Sequence, residues 1–387
     1  MKTRNEKLTA GSFGQWRRFL VVVLFVAGNA IGASVLGLPI VMRSAGFVPA
    51  CAACLLMSLV MAYAELLLAR LFMESGASDL PGMFKTKLGP LGAALFNCSY
   101  FVLFFCLLVA YWAGTRAIFG AFSLGNAALW LTICAIACCL IFDFRAAGPI
   151  NTLLTVGLLL SFACLGLKTF ACHGGNLMET INFRAAAAAL PIVICSYCFH
   201  GAIPLICHQL NCDRKMIGAA VICGIFFPLM FNLCILFVGF RVLSASDLAE
   251  GAANGWPLFV ALANKLSAKS FFLLGNLFSI FAILSSLVGV TTTMKGAVAD
   301  ICGSRKKTSA FIEFAVILLL PLSVAIYCPK IFISTLEFSG GILSNLMVGI
   351  LPLAALIRAK AMNWKYALLL ALFVNIFCLE LAKLIAH

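Results

Sequence analysis

The chain has 387 residues, of which 64% are hydrophobic and only 10% charged, with a mean hydropathy of +1.11. That balance excludes a soluble globular domain, and apolar runs of about 20 residues without ten-residue alternation exclude a transmembrane β-barrel. The formal charge of +14 lies in short connections and at span ends, so it is a topology signal and no nucleic acid is implied.

An all-α polytopic membrane protein is therefore expected. After a tail at 1–18, spans are predicted near 19–42, 47–73, 90–114, 126–144, 149–171, 188–209, 216–240, 271–299, 310–328, 331–357 and 366–386, which makes 11 transmembrane helices. The longest connection, 241–270, contains Trp256 and Pro257 and has room for a short surface helix. No loop can house a soluble catalytic domain and none carries a phosphate-binding G-x-x-x-x-G-K-[ST] motif, so neither an enzyme nor a cofactor is expected.

Arg17 and Arg18 followed by "FLVVVLFVAGNA" mimic a cleavable leader, but the apolar run continues to Met42 and favours a first span. Charge bias sets the orientation. One side would carry Lys2, Arg4, Lys7, Arg17, Arg18, Arg70, Lys85, Lys87, Arg145, Arg214, Lys215, Arg305, Lys306, Lys307, Arg358, Lys360 and Lys365. The other would carry Arg43, Arg116, Lys168, Arg184, Arg241, Lys265, Lys269, Lys330 and Lys383. The N-terminus is therefore expected in the cytoplasm and the C-terminus outside.

The 18 cysteines are scattered through the spans, which argues against a disulfide framework. "CAAC" (51–54) and "CSYC" (195–198) have redox or metal spacing, yet i and i+3 on a membrane helix also face one neighbour. Packing is the expected role, and no metal is implied; Cys207, His208 and Cys212 lie at the far end of their span.

Two spans carry breaks. "GNAIGASVLGLP" (28–39) places glycine, asparagine and serine in the first, and "LPIVICSYCFHGAIPLICHQL" (190–210) places Gly201 and Pro204 in the sixth, beside Ser196 and His200. If 19–171 and 188–357 are inverted five-helix repeats, with 366–386 an additional helix, the two breaks correspond. Matched interruptions of this kind point to a transporter's binding site. Half-helix ends would hold the carboxylate of an amino acid and freed carbonyls its ammonium. The alternative is that Gly28, Gly32 and Gly37 only permit close packing.

"GNAIGASVLGLPIVMRSAGF" resembles the first-helix motif of the bacterial aromatic amino acid permeases, the tyrosine- and tryptophan-specific family of the amino acid/polyamine superfamily. "AYWAG" (110–114), "SYCFHGAIP" (196–204), "LFSIFAILSSLVGV" (277–290) with "AD" (299–300), and "GGILSNLMVGILP" (340–352) are similar to its third, sixth, eighth and tenth helices. The resemblance implies a leucine-transporter-like 5+5 inverted repeat with discontinuous helices 1 and 6. It also implies proton-driven uptake of tyrosine or tryptophan across a bacterial inner membrane. Cys198, Lys295 and Gly296 depart from the family pattern.

Substrate contacts are expected from Gly28, Asn29, Ile31, Gly32, Ala33 and Ser34, and from Ser196, Tyr197, Phe199, His200 and Gly201. Phe104, Phe105, Tyr111, Phe338, Gly340 and Gly341 are candidates for the side-chain subsite, where rings stack and small residues make room. Charges within spans are functional suspects by default: Glu65, Lys295, Glu337 and the titratable His200. His200 and Glu337 are the proton-carrying candidates, and His200 has the rival role of bracing the break. Ser285, Ser286 and Thr291 to Thr293 would be the oxygens of a sodium alternative. Lys295 is expected to snorkel towards the headgroups, and Glu65 to pair with Arg70. A carrier of another neutral amino acid and an intramembrane redox or metal protein are the competing classes.

Overall fold

The computed structural model describes residues 16, 18–23, 26, 32–121, 147–170, 180–265, 269–301, 312 and 315–386. Seven helices among them are long and apolar enough to cross a bilayer: Phe47–Ser75, Pro90–Ile118, Leu190–Gln209, Arg214–Val242, Leu273–Thr291, Phe332–Arg358 and Trp364–Ala386. Shorter apolar helices cover Ser34–Ser44, Leu153–Leu167 and Ala315–Tyr327, in the predicted first, fifth and ninth spans. The predicted span 126–144 lies outside the described residues, and the described residues contain no strand.

In chain order the helices are α1 (Ser34–Val41), α2 (Phe47–Ser75), α3 (Leu80–Leu88), α4 (Pro90–Ala121), α5 (Ala147–Phe170), α6 (Phe183–Ala188), α7 (Leu190–Cys195) and α8 (Ile203–Gln209). They continue with α9 (Arg214–Val242), α10 (Ala245–Asn254), α11 (Leu258–Lys265), α12 (Lys269–Ile301), α13 (Leu320–Tyr327), α14 (Phe332–Phe338), α15 (Leu351–Arg358) and α16 (Trp364–Ala386). Between α14 and α15, Ser339–Ile350 is wound as a π-helix. Such widened turns are rare and gather at functional sites.

Two helices occupy the long connection predicted to hold one. Ser244 and Asp247 form a capping box at the start of α10. Gly255 ends it with φ +64 and Trp256 N–H donates back to Gly251 O at 2.9 Å, a Schellman stop.

Close approach fixes the central packing. A Cβ on Gly340 would run into the Pro191 carbonyl, and one on Gly341 would meet Glu380 at 2.8 Å. The glycines therefore let the π stretch lie directly on α7 and α16, as small residues do between membrane helices. α1 packs among α7, α9, α10 and α11, and α12 runs along α5 and α4. Buried Asn345 donates to Gly341 O at 3.1 Å and Phe373 O at 2.9 Å, tying the π stretch to α16.

Candidate functional site

The sixth span is broken in the middle. α7 ends at Cys195, residues 196–199 form no regular helix, His200–Ala202 make one 3-10 turn, and α8 restarts with Pro204 in its first turn, where a missing N–H costs nothing. In the first span α1 begins at Ser34, preceded by Gly32 and Ala33 outside regular helix. Gly28, Asn29 and Ile31 lie outside the described residues.

These chain ends border a cavity of about 150 Å³, counted as space open to the centre of a water molecule. A cavity of that volume is the size that accepts a benzene ring. Gly32, Ala33 and Ser34 line it from the start of α1; Cys195, Cys198, Phe199, His200, Gly201 and Ala202 line it from the break. α4 contributes Tyr100, Leu103, Phe104, Leu107 and Tyr111, a stripe at helical spacing, and α12 contributes Ser286, Gly289 and Val290. Leu205, Leu336 and Ser344 also line it, and among the described residues no Asp, Glu, Lys or Arg does.

The electrostatics come from backbone. The first turns of α1 and α8 present partial positive charge to the cavity, and the end of α7 presents partial negative charge. Gly32 brings three segments together: a Cβ there would sit 3.7 Å from both Ser286 Oγ and Tyr111 Oη. Neither ring nitrogen of buried His200 has a hydrogen-bond partner among the described residues. The Tyr100 ring lies 6.3 Å from it and packs edge-on against Phe104 at 4.5 Å.

One end is closed. Gly37 meets Ile192, Ile333 and Leu336, and Gly114 meets Phe332 and Ile283, where the first and third spans finish and the sixth and tenth begin. Gly201 and Leu205, at the opposite side of the break, are exposed.

Several expected contacts fall elsewhere. Ser196 donates to Val193 O at 2.8 Å and accepts from Asn232 Nδ2 at 2.9 Å, and Tyr197 donates to Cys54 O at 3.1 Å, so both point into the bundle. Phe105 and Phe338 pack against the core and do not line the cavity. Gly340 and Gly341 serve close packing, with no room left for a ring. Glu337 sits 3.9 Å from Lys383, which also holds Glu380 at 3.0 Å and donates to Ala188 O at 2.9 Å, away from the cavity. Ser285 bonds back to Ala282 O at 3.2 Å, and only Ser286 of that pair faces the cavity. The Lys295, Thr292 and Thr293 side chains lie outside the described residues, as does Gly296 beyond its backbone.

The expected Glu65–Arg70 pair does not form. Arg70 donates instead to Glu74 at 2.8 Å, because four residues apart share a helix face and five do not. Glu65 is fully buried and accepts from Phe199 N–H at 3.4 Å.

The sequence-based expectations do not place Tyr100, Leu103, Leu107, Ala202, Leu205, Gly289, Val290, Leu336 or Ser344 at the site, and they give Cys195 and Cys198 a packing role. Extending the period from Tyr111 and Phe104 back along α4 would have found the first three. Among the described residues, no cluster of three or more His, Cys, Asp or Glu is placed to hold a metal.

The tryptophan/tyrosine permease family model matches residues 16–381. The chain belongs to the tryptophan/tyrosine permease family. It is a membrane transporter of a permease family, not of an enzyme family. The permease is 23% identical to the tyrosine-specific transport system 2 of Haemophilus influenzae, over 94% of this chain and 95% of that one. It is also 23% identical to glutamine transporter 2 of Aliivibrio fischeri, covering 87% of this chain and 88% of the relative. Its fold is similar to the crystal structure of a histidine-to-alanine mutant of the Eremococcus coleocola manganese transporter, with TM-score 0.58, 12% identity, and coverage of 94% of this chain and 85% of that one.

Proposed function

We propose that this permease is a secondary active transporter importing an aromatic amino acid, tyrosine favoured and tryptophan next, with a proton, by alternating access in a bacterial inner membrane. The observation that carries this reading is a cavity whose described lining residues carry no charged side chain, bounded by three helix ends and an aromatic stripe. A zwitterion of zero net charge fits such a wall, whereas a charged side chain would be left unpaired. The carboxylate lies at the first turns of α1 and α8, the ammonium at the end of α7, and the ring against Tyr100, Phe104, Tyr111 and Phe199.

The fold is a leucine-transporter-like inverted repeat of 11 spans, 19–171 and 188–357 with 366–386 added, N-terminus inside. In that orientation the side where the helices are in close contact faces outside. The coupling proton is handled at the break of the sixth span, where His200 and Cys198 are titratable side chains lining the cavity.

Uptake of labelled tyrosine, tryptophan, glutamine and leucine into sodium-free proteoliposomes tests this. Tyrosine or tryptophan accumulation under an inward proton gradient, abolished by a protonophore, is the expected result; accumulation requiring sodium, or none, overturns it. A second reading, another neutral amino acid such as glutamine, is favoured by the Aliivibrio fischeri relative and by the cavity hydroxyls of Ser34, Ser286 and Ser344. Preference for glutamine over tyrosine in the same assay would establish it.

A further inference from the structure

Glu65 stands out among the buried groups of the described residues. It lies on α2 and is 0% exposed. Its Oε1 accepts from Phe199 N–H, and Oε2 is buried with no hydrogen-bond partner. Phe199 is a cavity residue inside the break. A carboxyl group in the apolar interior is costly without a cation, and such groups in membranes mark proton relays. The helices packed on α2 are α3, α6 to α9, α15 and the π stretch. Among the described residues, none of them places a charged side chain on Glu65; the titratable neighbours are Cys198 and, one residue beyond Phe199, His200.

The other carboxylate candidate differs on each point. Glu337 is 22% exposed at its side chain, shares Lys383 with Glu380, and lies off the cavity. His200 lines the cavity itself.

We propose that Glu65 carries the coupling proton and that it reports its protonation state to the cavity through the Phe199 N–H. This rests on the proton-symport reading above. One proton passes from outside water to the carboxylate and later from the carboxylate to inside water; no bond of the amino acid changes. With a zwitterionic substrate, one net positive charge moves per cycle. Neutral Glu65 leaves Phe199 N–H one weak acceptor, whereas the anion draws the donors of the break more strongly. The wall around Phe199 and His200 therefore takes two arrangements, and by linkage bound substrate biases protonation as much as protonation biases substrate binding.

Glu65→Gln keeps the acceptor for Phe199 N–H but cannot carry a proton. Expected is loss of gradient-driven accumulation by at least about tenfold, with equilibrium binding and substrate exchange within about twofold of wild type. Glu65→Asp should retain protonophore-sensitive accumulation. Unchanged gradient-driven accumulation in Glu65→Gln overturns the proposal, as does loss of binding and exchange in folded protein, which would make Glu65 a brace of the break. Wild-type accumulation insensitive to a protonophore would instead refute proton symport itself. If the variants do not fold, dicyclohexylcarbodiimide on the wild type decides, since it modifies protonated carboxyls in apolar surroundings. Peptide mass spectrometry should find the adduct on Glu65, slowed by bound substrate, in proportion to lost accumulation; inhibition without that adduct, or no inhibition, overturns the proposal.

Discussion

Tyr197 donates its phenolic O–H to the Cys54 carbonyl at 3.1 Å, so the one tyrosine inside the break is anchored in α2 and turned away from the cavity. Ser196 is held on the same side by Asn232. The break thus has an anchored half, 196–197, and a cavity half, 198–202. Tyr197→Phe removes only the anchor's hydrogen bond. It should cost about 0.5–1.5 kcal/mol in thermal unfolding and leave substrate preference unchanged. A changed ranking of amino acids in competition uptake would contradict the division.

Two glycines one might treat alike should behave differently. A Cβ at Gly340 meets backbone, the Pro191 carbonyl and Cys195 N, which cannot swing aside. Gly340→Ala is expected to destabilise by about 1–3 kcal/mol, seen as a lower Tm in detergent. A Cβ at Gly201 meets only the Tyr100 side chain, its hydroxyl at 3.0 Å. Gly201→Ala should keep its Tm and raise KM several-fold by displacing Tyr100 within the cavity.

Lys383 joins α16 to Glu337, to Glu380 and to the Ala188 carbonyl. The Glu380 side chain is only 5% exposed, so Lys383→Met leaves a buried carboxylate unpaired. With Lys383 itself 39% exposed, the loss should be on the order of 1–2 kcal/mol after solvent screening, read from Tm. Glu337→Gln should retain protonophore-sensitive uptake, and its loss would restore Glu337 as a coupling group.

Cys195 and Cys198 line the cavity, whereas Cys98, Cys164, Cys212, Cys234, Cys328 and Cys378 are exposed on the outer surface. Saturating tyrosine should slow methanethiosulfonate labelling at 195 and 198 several-fold and leave the other sites unaffected, as peptide mass spectrometry can resolve. Equal labelling with and without substrate would remove these residues from the binding site.

Asp247 lies outside the spanning helices. Burial pushes its carboxyl up, but hydrogen bonds from Ser244 and the ion pair with Lys265 at 3.0 Å outweigh this and hold it below the usual range. A depressed folded value contributes stability above the unfolded pKa of about 3.9, lost as pH falls through the folded one. Protection of the first turn of α10 in hydrogen exchange, corrected for the intrinsic pH dependence of amide exchange, should therefore be flat near neutrality and fall below about pH 4. Asp247→Asn should lower that protection at every pH.

The sixth-span break was legible because Gly201 and Pro204 are local signals, and apolar run length located the span positions recovered among the described residues. The wall of α4 was half legible: Phe104 and Tyr111 stand out by type, whereas Tyr100 belongs only by period. Glu65 was misassigned because its partner, Phe199 N–H, lies 134 positions away and is a backbone group, which carries no residue-type signature. The π winding of Ser339–Ile350 was hidden for a related reason, since residues per turn there depend on contacts with α7 and α16.

The latch between Asn345 and the Phe373 carbonyl has a consequence for biogenesis. Residues 339–350 leave the ribosome before α16 does, and until α16 inserts, the side-chain amide of Asn345 lacks its cross-helix acceptor. Ser344, its neighbour, is part of the cavity wall. The latch therefore closes only once α16 lies beside the π stretch, so the segment carrying Ser344 gains its last cross-helix bond late in insertion.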